Sequence, residues 1–283
     1  MPFDYHRPTT LEEAWRLAAA DPEARFVAGG TDVMVRIREG KIAPRALIAL
    51  GRISDLARIA IGPTVVIGAG VRVAELEHNA SIRHALPVLS QAAALLGSTQ
   101  IRNVATLGGN LCNASPCADL APPLLVHEAR ARIATAGGAR EIPLASFFVG
   151  PRASVLAPGE VLSAVVVDPP APNTRAVFLK QGRVRMDIAL ASVAVLLDTD
   201  GARCSKARVA AGSLGPCPMR LTEVEGILTG STLDAATLAR ARAAAESEVR
   251  PISDVRAGAD YRRHLAGALL ERAVRSLMNG ASP

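Results

Sequence analysis

Aromatic residues are scarce in this chain, at 3% of 283 residues, and lysine is nearly absent, with Lys41, Lys180 and Lys206 as its only occurrences. The net charge of +6 is therefore carried by arginine, and the arginines are dispersed and interleaved with acids. A nucleic-acid surface joins a clustered basic face to stacking aromatics. This chain offers neither, which argues against nucleic acid as a partner. Long apolar runs are missing too. Hydrophobic residues make up 49%, but alanine supplies much of that total, and no stretch approaches the roughly 18 consecutive apolar residues of a spanning helix. The first residues, Met1-Pro2-Phe3-Asp4-Tyr5-His6-Arg7-Pro8, lack the apolar segment of a signal peptide. The expected location is cytoplasmic, with no membrane span.

Cysteine is also sparse. Cys112, Cys117, Cys204 and Cys217 in a chain of this length do not make a disulfide scaffold. Cys112 and Cys117 stand at the C-x4-C spacing that opens a plant-type iron–sulfur pattern, but the third cysteine of that pattern would fall on Leu120. The five histidines are scattered with no ligand spacing. Reduced thiols and no bound metal are the expectation. No Ser/His/Asp or Cys/His arrangement stands out, so no catalytic acid, base or nucleophile is named.

What the chain does contain is an alternation of short strands and helices of α+β character. Its length favours two domains over one, and Asp168-Pro169-Pro170-Ala171-Pro172-Asn173 is the clearest boundary, since three prolines in four residues continue neither a strand nor a helix. The expected domains are residues 1–170, with subdomains of about 1–55 and 56–170, and residues 174–283. In the first, Thr9-Thr10-Leu11-Glu12-Glu13 opens a helix. Residues 25–28 and 46–50 read as strands, 56–61 and 65–68 as a strand pair around Gly62-Pro63, and 73–78 and 84–96 as helices. Residues 120–128 read as helical, and 131–135, 141–143 and 161–167 as extended. In the second domain, 175–180, 192–198 and 207–212 read as strands, followed by helices over 233–249 and 261–278 with Leu265, Leu269, Ala273 and Leu277 on one face.

Two glycine pairs punctuate this pattern. Gly29-Gly30 separates a strand from a helix that Thr31-Asp32 can cap, an arrangement that presents unpaired backbone N–H groups to an anion. It is neither a Walker loop nor a G-x-G-x-x-G fingerprint, and it equally suits an ordinary tight turn. The second stretch runs Thr106-Leu107-Gly108-Gly109-Asn110 and continues through Asn113 and Ser115 to Asp119. Two adjacent glycines let a ligand approach the backbone, and the polar groups after them suit the phosphates and hydroxyls of a nucleotide; they also suit a plain polar loop.

Taken together and in order, these stretches are far more specific. Ala28-Gly29-Gly30-Thr31-Asp32, Ile67-Gly68-Ala69-Gly70, Ile101 through Asn110, Ala114-Ser115-Pro116 with Asp119, Ser146-Phe147-Phe148, and Lys180 followed by Asp187-Ile188-Ala189 closely resemble the FAD-binding middle subunit of the molybdenum hydroxylases. These are enzymes of the xanthine dehydrogenase and carbon monoxide dehydrogenase type. The resemblance covers essentially the whole chain, including Tyr261-Arg262-Arg263-His264-Leu265.

That resemblance implies a two-lobed FAD-binding domain of the molybdopterin dehydrogenase (PCMH) type, followed by a smaller α+β domain with a three-stranded sheet and helices. It places the pyrophosphate of FAD against Val27, Ala28, Gly29, Gly30, Thr31, Asp32, Val33 and Met34. It gives Thr106, Leu107, Gly108, Gly109 and Asn110 as the second FAD loop, with Ser115 beyond it and Asp119 reaching a hydroxyl or amine of the cofactor. A flavin-side contact falls near Leu96 to Ile101, where this chain lacks the aromatic ring some members use, and Leu156 and Lys180 match two later contacts. Backbone donors on both loops are then expected to hold the pyrophosphate. The partners it implies are a large subunit whose molybdenum–pterin cofactor hydroxylates the substrate with water, and a small subunit with two 2Fe–2S clusters. The three are expected to assemble as a dimer of heterotrimers, with electrons passing from the clusters to FAD here and on to an external acceptor. A relative with a 4Fe–4S insertion is disfavoured, because the insertion is absent. A self-sufficient flavin oxidase and a scaffold that has lost FAD stand as alternatives.

Overall fold

In the computed structural model, which describes residues 3–200 and 203–279, the chain opens with β1 (Asp4–His6), α1 (Leu11–Ala20), β2 (Arg25–Val27), α2 (Val33–Arg38) and β3 (Ala46–Ala49). The outermost ends of the two expected domains, residues 1–2 and 280–283, lie outside the described residues. The strands form a parallel sheet in the order β1-β3-β2. Parallel neighbours need crossover connections, and α2 supplies the one from β2 to β3. The start of α1 is set by Thr10, whose hydroxyl accepts from the Glu13 N–H.

Next come β4 (Ile59–Ile61), β5 (Val65–Gly68), α3 (Val73–His78), α4 (Ala80–Ala85), α5 (Pro87–Ala94), α6 (Thr99–Arg102), α7 (Leu107–Cys112) and α8 (Ala121–Val126). They are followed by β6 (Arg130–Thr135), β7 (Gly138–Pro143), β8 (Phe148–Gly150), β9 (Ala153–Ser154) and β10 (Val161–Val167). An antiparallel sheet runs β4-β5-β10-β6-β7, and β8 and β9 pair as a separate hairpin. The single helix expected over 84–96 is instead α4 and α5, broken at Leu86. Pro87 has no N–H and would clash inside a helix, so it takes the first position of a new one. The strand expected from Leu56 begins only at Ile59, after a 3-10 turn over Ser54–Ala57. The Gly108-Gly109 stretch, expected as a loop, is the helix α7, capped by the Thr106 hydroxyl on the Gly109 N–H at 3.0 Å.

The last part holds β11 (Thr174–Gln181), β12 (Ala191–Asp200), β13 (Arg203–Gly212), β14 (Met219–Arg220), α9 (Thr222–Leu228), α10 (Ala235–Glu248) and α11 (Ala259–Met278). The three expected strands are joined by a fourth of two residues, giving the antiparallel order β11-β12-β13-β14. Alternate side chains of a strand face opposite ways, and here both faces are buried. Val177, Val193, Val195 and Val209 join a core with the leucines of α9, α10 and α11. Phe178, Ala194, Leu196 and Ala210 join the core of the preceding five-stranded sheet, alongside Leu120, Leu124 and Val165. α5 packs on β11, and α8 on β12 and β13.

Candidate functional site

A cleft of about 430 Å³ opens where the β2–α2 turn faces α7. Its walls come from four places: the first turn (Phe26 to Val33, with Arg36), the segment Ala69-Gly70, the run from Ala105 to Asn113, and the strand start Glu160-Val161-Leu162. Leu50, Gly51, Leu56, Leu96, Ile101 and Leu156 complete the lining.

The glycines that shape this cleft act for different reasons. Gly29 packs against Val104 and Ala105 so closely that a Cβ there would run into the Val104 carbonyl. Gly30 sits at φ +72°, a left-handed conformation that costs glycine nothing. A Cβ on Gly108 would come within 2.6 Å of the Ala69 Cβ and 2.9 Å of its carbonyl oxygen. Gly109 differs: its Cβ would meet only the Thr106 hydroxyl at 3.0 Å and the Ala28 Cβ at 4.0 Å, with the cleft between Gly109 and Ala28. Gly29 and Gly108 hold the walls together, Gly30 turns the chain, and Gly109 keeps the space between the walls clear.

The two loops also differ in their backbone donors. No acceptor among the described residues takes the N–H groups of Gly29, Gly30, Thr31, Asp32 or Val33. In α7 the corresponding donors are occupied. Leu107 donates to the Val71 carbonyl at 2.9 Å, Gly108 to the Ala69 carbonyl at 2.7 Å, Asn110 to the Thr106 carbonyl at 3.0 Å, and Gly109 to the Thr106 hydroxyl. The first loop's amides are therefore free of acceptors among the described residues, while those of the second loop already have partners within the protein. Leu107 and Gly108 use their amides to bind α7 to the Ala69–Val71 segment, and Gly109 and Asn110 use theirs on Thr106.

Charge in the cleft is nearly balanced. Glu160 is held by Arg140 at 2.9 Å and accepts from the Ala157 N–H, and these partners keep its carboxyl below the usual range. Asp32 accepts from the Asn113 amide at 3.0 Å, and Arg152 donates to the Asn113 carbonyl oxygen at 3.4 Å. Cys112 lines the cleft as a thiol that burial pushes up to about 12, too high to be a reactive thiolate at neutral pH. All four cysteines are unpaired. Among the described residues no three His, Cys, Asp or Glu side chains converge as a metal site.

Beyond the lining lies a second polar feature. Asp119 and Lys180 form a buried ion pair at 2.6 Å, each side chain less than a tenth exposed. Lys180 also donates to the Leu95 carbonyl at 3.0 Å, while the Asp119 Oδ1 has no partner among the described residues. Burial pushes the Asp119 carboxyl up to about 6, against the pull of Lys180. Nearby, Arg102 pairs with Glu77 at 2.7 Å and donates to the Leu96 and Gly97 carbonyls. That clamp holds the left-handed Gly97 turn and places Leu96 and Ile101 in the cleft wall.

Of the residues expected at a cofactor, Val27, Ala28, Gly29, Gly30, Thr31, Asp32, Val33, Ile101, Thr106, Gly108, Gly109, Asn110 and Leu156 are brought together in this one cleft. Met34, Leu107, Ser115, Asp119 and Lys180 are not part of its lining. Leu107 is fully buried in the core, Met34 is 37% exposed, Ser115 accepts from the Cys117 N–H, and the last two are paired with each other. The sequence reading missed Arg36, Glu160 and the apolar wall of Phe26, Leu50, Leu56 and Leu162. For Arg36 a signal existed, because it stands one helical turn beyond Asp32 on a helix that starts at the glycine pair.

These residues fit an elongated ligand with an anionic centre. Five free amides surround a left-handed glycine, an opening that a Cβ at position 109 would fill faces them, and one buried carboxylate oxygen awaits a donor.

Comparison with known proteins agrees in extent. A family model described as the FAD binding domain in molybdopterin dehydrogenase matches residues 1–170, and one described as the CO dehydrogenase flavoprotein C-terminal domain matches 176–277. The xanthine dehydrogenase FAD-binding subunit of Escherichia coli O157:H7 is 31% identical over 275 residues, 95% of this chain and 94% of that one. The carbon monoxide dehydrogenase medium chain of Afipia carboxidovorans is 31% identical, covering 96% and 95%. A crystal structure of a Cu,Mo-CO dehydrogenase superposes with a TM-score of 0.95 at 31% identity, covering 99% of this chain and 98% of that one.

Proposed function

The chain belongs to the FAD-binding medium subunits of the xanthine dehydrogenase and CO dehydrogenase family, and from that premise we propose that it is the electron-transfer subunit of a molybdenum hydroxylase complex. In this reading it takes electrons from two 2Fe–2S clusters of a small subunit and passes them to an external acceptor. A large subunit with a molybdenum–pterin cofactor carries out the hydroxylation. The complex is a cytoplasmic dimer of heterotrimers, and residues 1–170 and 174–283 of this chain are its two domains. Among the described residues no helix is long and apolar enough to cross a membrane.

FAD, when bound, supplies the capacity to accept electrons singly and release them to a second carrier. The chain's part is to bind and orient it. The Gly29–Val33 amides hold the pyrophosphate, Gly109 leaves room for it, and Leu96, Ile101 and Leu156 provide an apolar wall that keeps water from the ring system. Asp119, kept from solvent and paired through one oxygen only, has its free oxygen available to a hydroxyl or amine of the cofactor, with Lys180 fixing its orientation. Met34, Leu107 and Ser115 belong to the same reading as neighbours that shape the two loops.

The observation that carries the proposal is the run of five unsatisfied amides facing a cleft that Gly109 keeps open. It is tested on the purified chain, which is expected to be yellow and to release FAD on denaturation. Folded protein with no flavin absorption that also fails to take up added FAD would overturn it.

A further inference from the structure

Arg36 is the only lysine or arginine lining the cleft among the described residues, and no carboxylate among them lies within ion-pair distance of it. This calls for an explanation, because Asp32 stands four positions earlier at the start of the same helix. That is the spacing at which aspartate and arginine normally pair along a helix. The reason lies on the opposite wall. The Asn113 side-chain amide donates to Asp32 Oδ1 at 3.0 Å, and Arg152 in turn donates to the Asn113 carbonyl oxygen at 3.4 Å. Asp32 is thus held toward α7 and away from Arg36. The cleft's other acid, Glu160, is already paired with Arg140. One cation is therefore left without a protein partner, beside the five free amides of the Gly29–Val33 turn.

We propose that Arg36 is the specificity-determining charge of this cleft: it engages the phosphates of the dinucleotide, and Asn113 acts as a positioning residue that keeps it free by holding Asp32. This rests on the FAD reading and deepens it. Without Arg36 the cleft would present the unpaired charge of Asp32 to a doubly negative pyrophosphate. With it, the guanidinium adds a charged donor in fork geometry to the neutral backbone donors, as phosphate recognition favours.

The test is titration of the full-length chain with FAD, followed by quenching of flavin fluorescence, with ADP as a competitor that carries the pyrophosphate but no flavin. Arg36→Gln should weaken FAD and ADP by a similar factor of about ten, the size expected for loss of a half-exposed charge-assisted contact, and should flatten the salt dependence of both. Arg36→Lys should recover part of the loss. Asn113→Ala should weaken FAD binding by releasing Asp32 onto Arg36, and adding Asp32→Asn to it should restore binding. If Arg36→Gln binds FAD and ADP like the parent, with the same salt slope, the proposal is wrong while the FAD reading stands. If Asp32→Asn fails to rescue Asn113→Ala, the positioning role of Asn113 is wrong. A parent chain that takes up no FAD overturns the underlying reading instead.

Discussion

The two glycine-bearing walls of the cleft look alike in sequence and behave differently in the fold. Around Gly29-Gly30 the backbone donors are free, a left-handed glycine turns them, and a cation lies beside them. Around Gly108-Gly109 every donor from Leu107 to Asn110 is bonded within the protein, and the wall is fastened to Ala69–Val71. One wall leaves its donors free and the other uses them on the fold. Each pair has one glycine pressed against a neighbouring chain segment, Gly29 on Val104 and Gly108 on Ala69, so what separates the two walls is whether the amides beside them are free.

Four substitutions test that difference. The largest effect is expected from Gly29→Val, because its Cβ would collide with the Val104 carbonyl and only parting the walls relieves it. Overpacking normally costs about 1–3 kcal/mol; with backbone on both sides the upper end or more is expected, read as a lowered denaturant midpoint. An unchanged midpoint would show that the walls do not meet there. Gly109→Val should do the reverse. With only Thr106 Oγ1 and Ala28 Cβ nearby, it should fold close to normally yet bind FAD about a hundredfold less tightly, roughly 2.7 kcal/mol. Equal FAD affinity in mutant and parent would remove Gly109 from the site.

A third prediction concerns the ion pair behind the second wall. Asp119, ordinarily near 3.8, is raised by burial to about 6. Between those values the folded protein holds a proton that the unfolded chain has released, so this group's contribution to stability falls as pH rises from about 4 to about 6. Unfolding free energies measured across that window should show this fall in the parent and lack it in Asp119→Asn. A parallel pH slope in the two proteins would mean Asp119 does not titrate there. The smallest effect is expected from Thr106→Val, which removes the cap on Gly109 and should cost about 1 kcal/mol of stability. Since that wall's amides serve the fold, FAD affinity should change less than stability does; a large loss of affinity with intact stability would reverse the assignment of roles.

Most strands and helices were legible because their signals are local. The hydroxyl cap at Thr10, the β-branched run Val161–Val167 and the leucine spacing of α11 each identify an element from its own residues. The failures have physical causes that local reading does not reach. Pro87 sits within an apolar pattern that reads as one helix, and only its place at a helix start reconciles the two. α7 contains two poor helix formers, and it forms because acceptors on Ala69 and Val71, far back in the chain, fix its first turn. The same long-range acceptors decide which loop keeps its donors, so the division of labour between the walls was invisible before folding. Arg36 was missed although its place one helical turn beyond Asp32 was legible; what no local pattern shows is that Asn113, on the opposite wall, holds Asp32 away from it.

The last sheet has buried side chains on both faces, one set contacting its own helices and the other the core of the five-stranded sheet. Its first strand is tied back further by the Phe178 N–H to Gln91 at 2.9 Å and by Lys180 to Asp119. The proline-rich segment at 168–173 is thus a seam in the sequence but not in the energy of folding. Cutting the chain there would strip a lid of phenylalanine, leucine and alanine from the first half and leave Asp119 without its counter-charge, so the fragment 1–170 should be a poor stand-alone flavoprotein even though it contains every residue that lines the cleft.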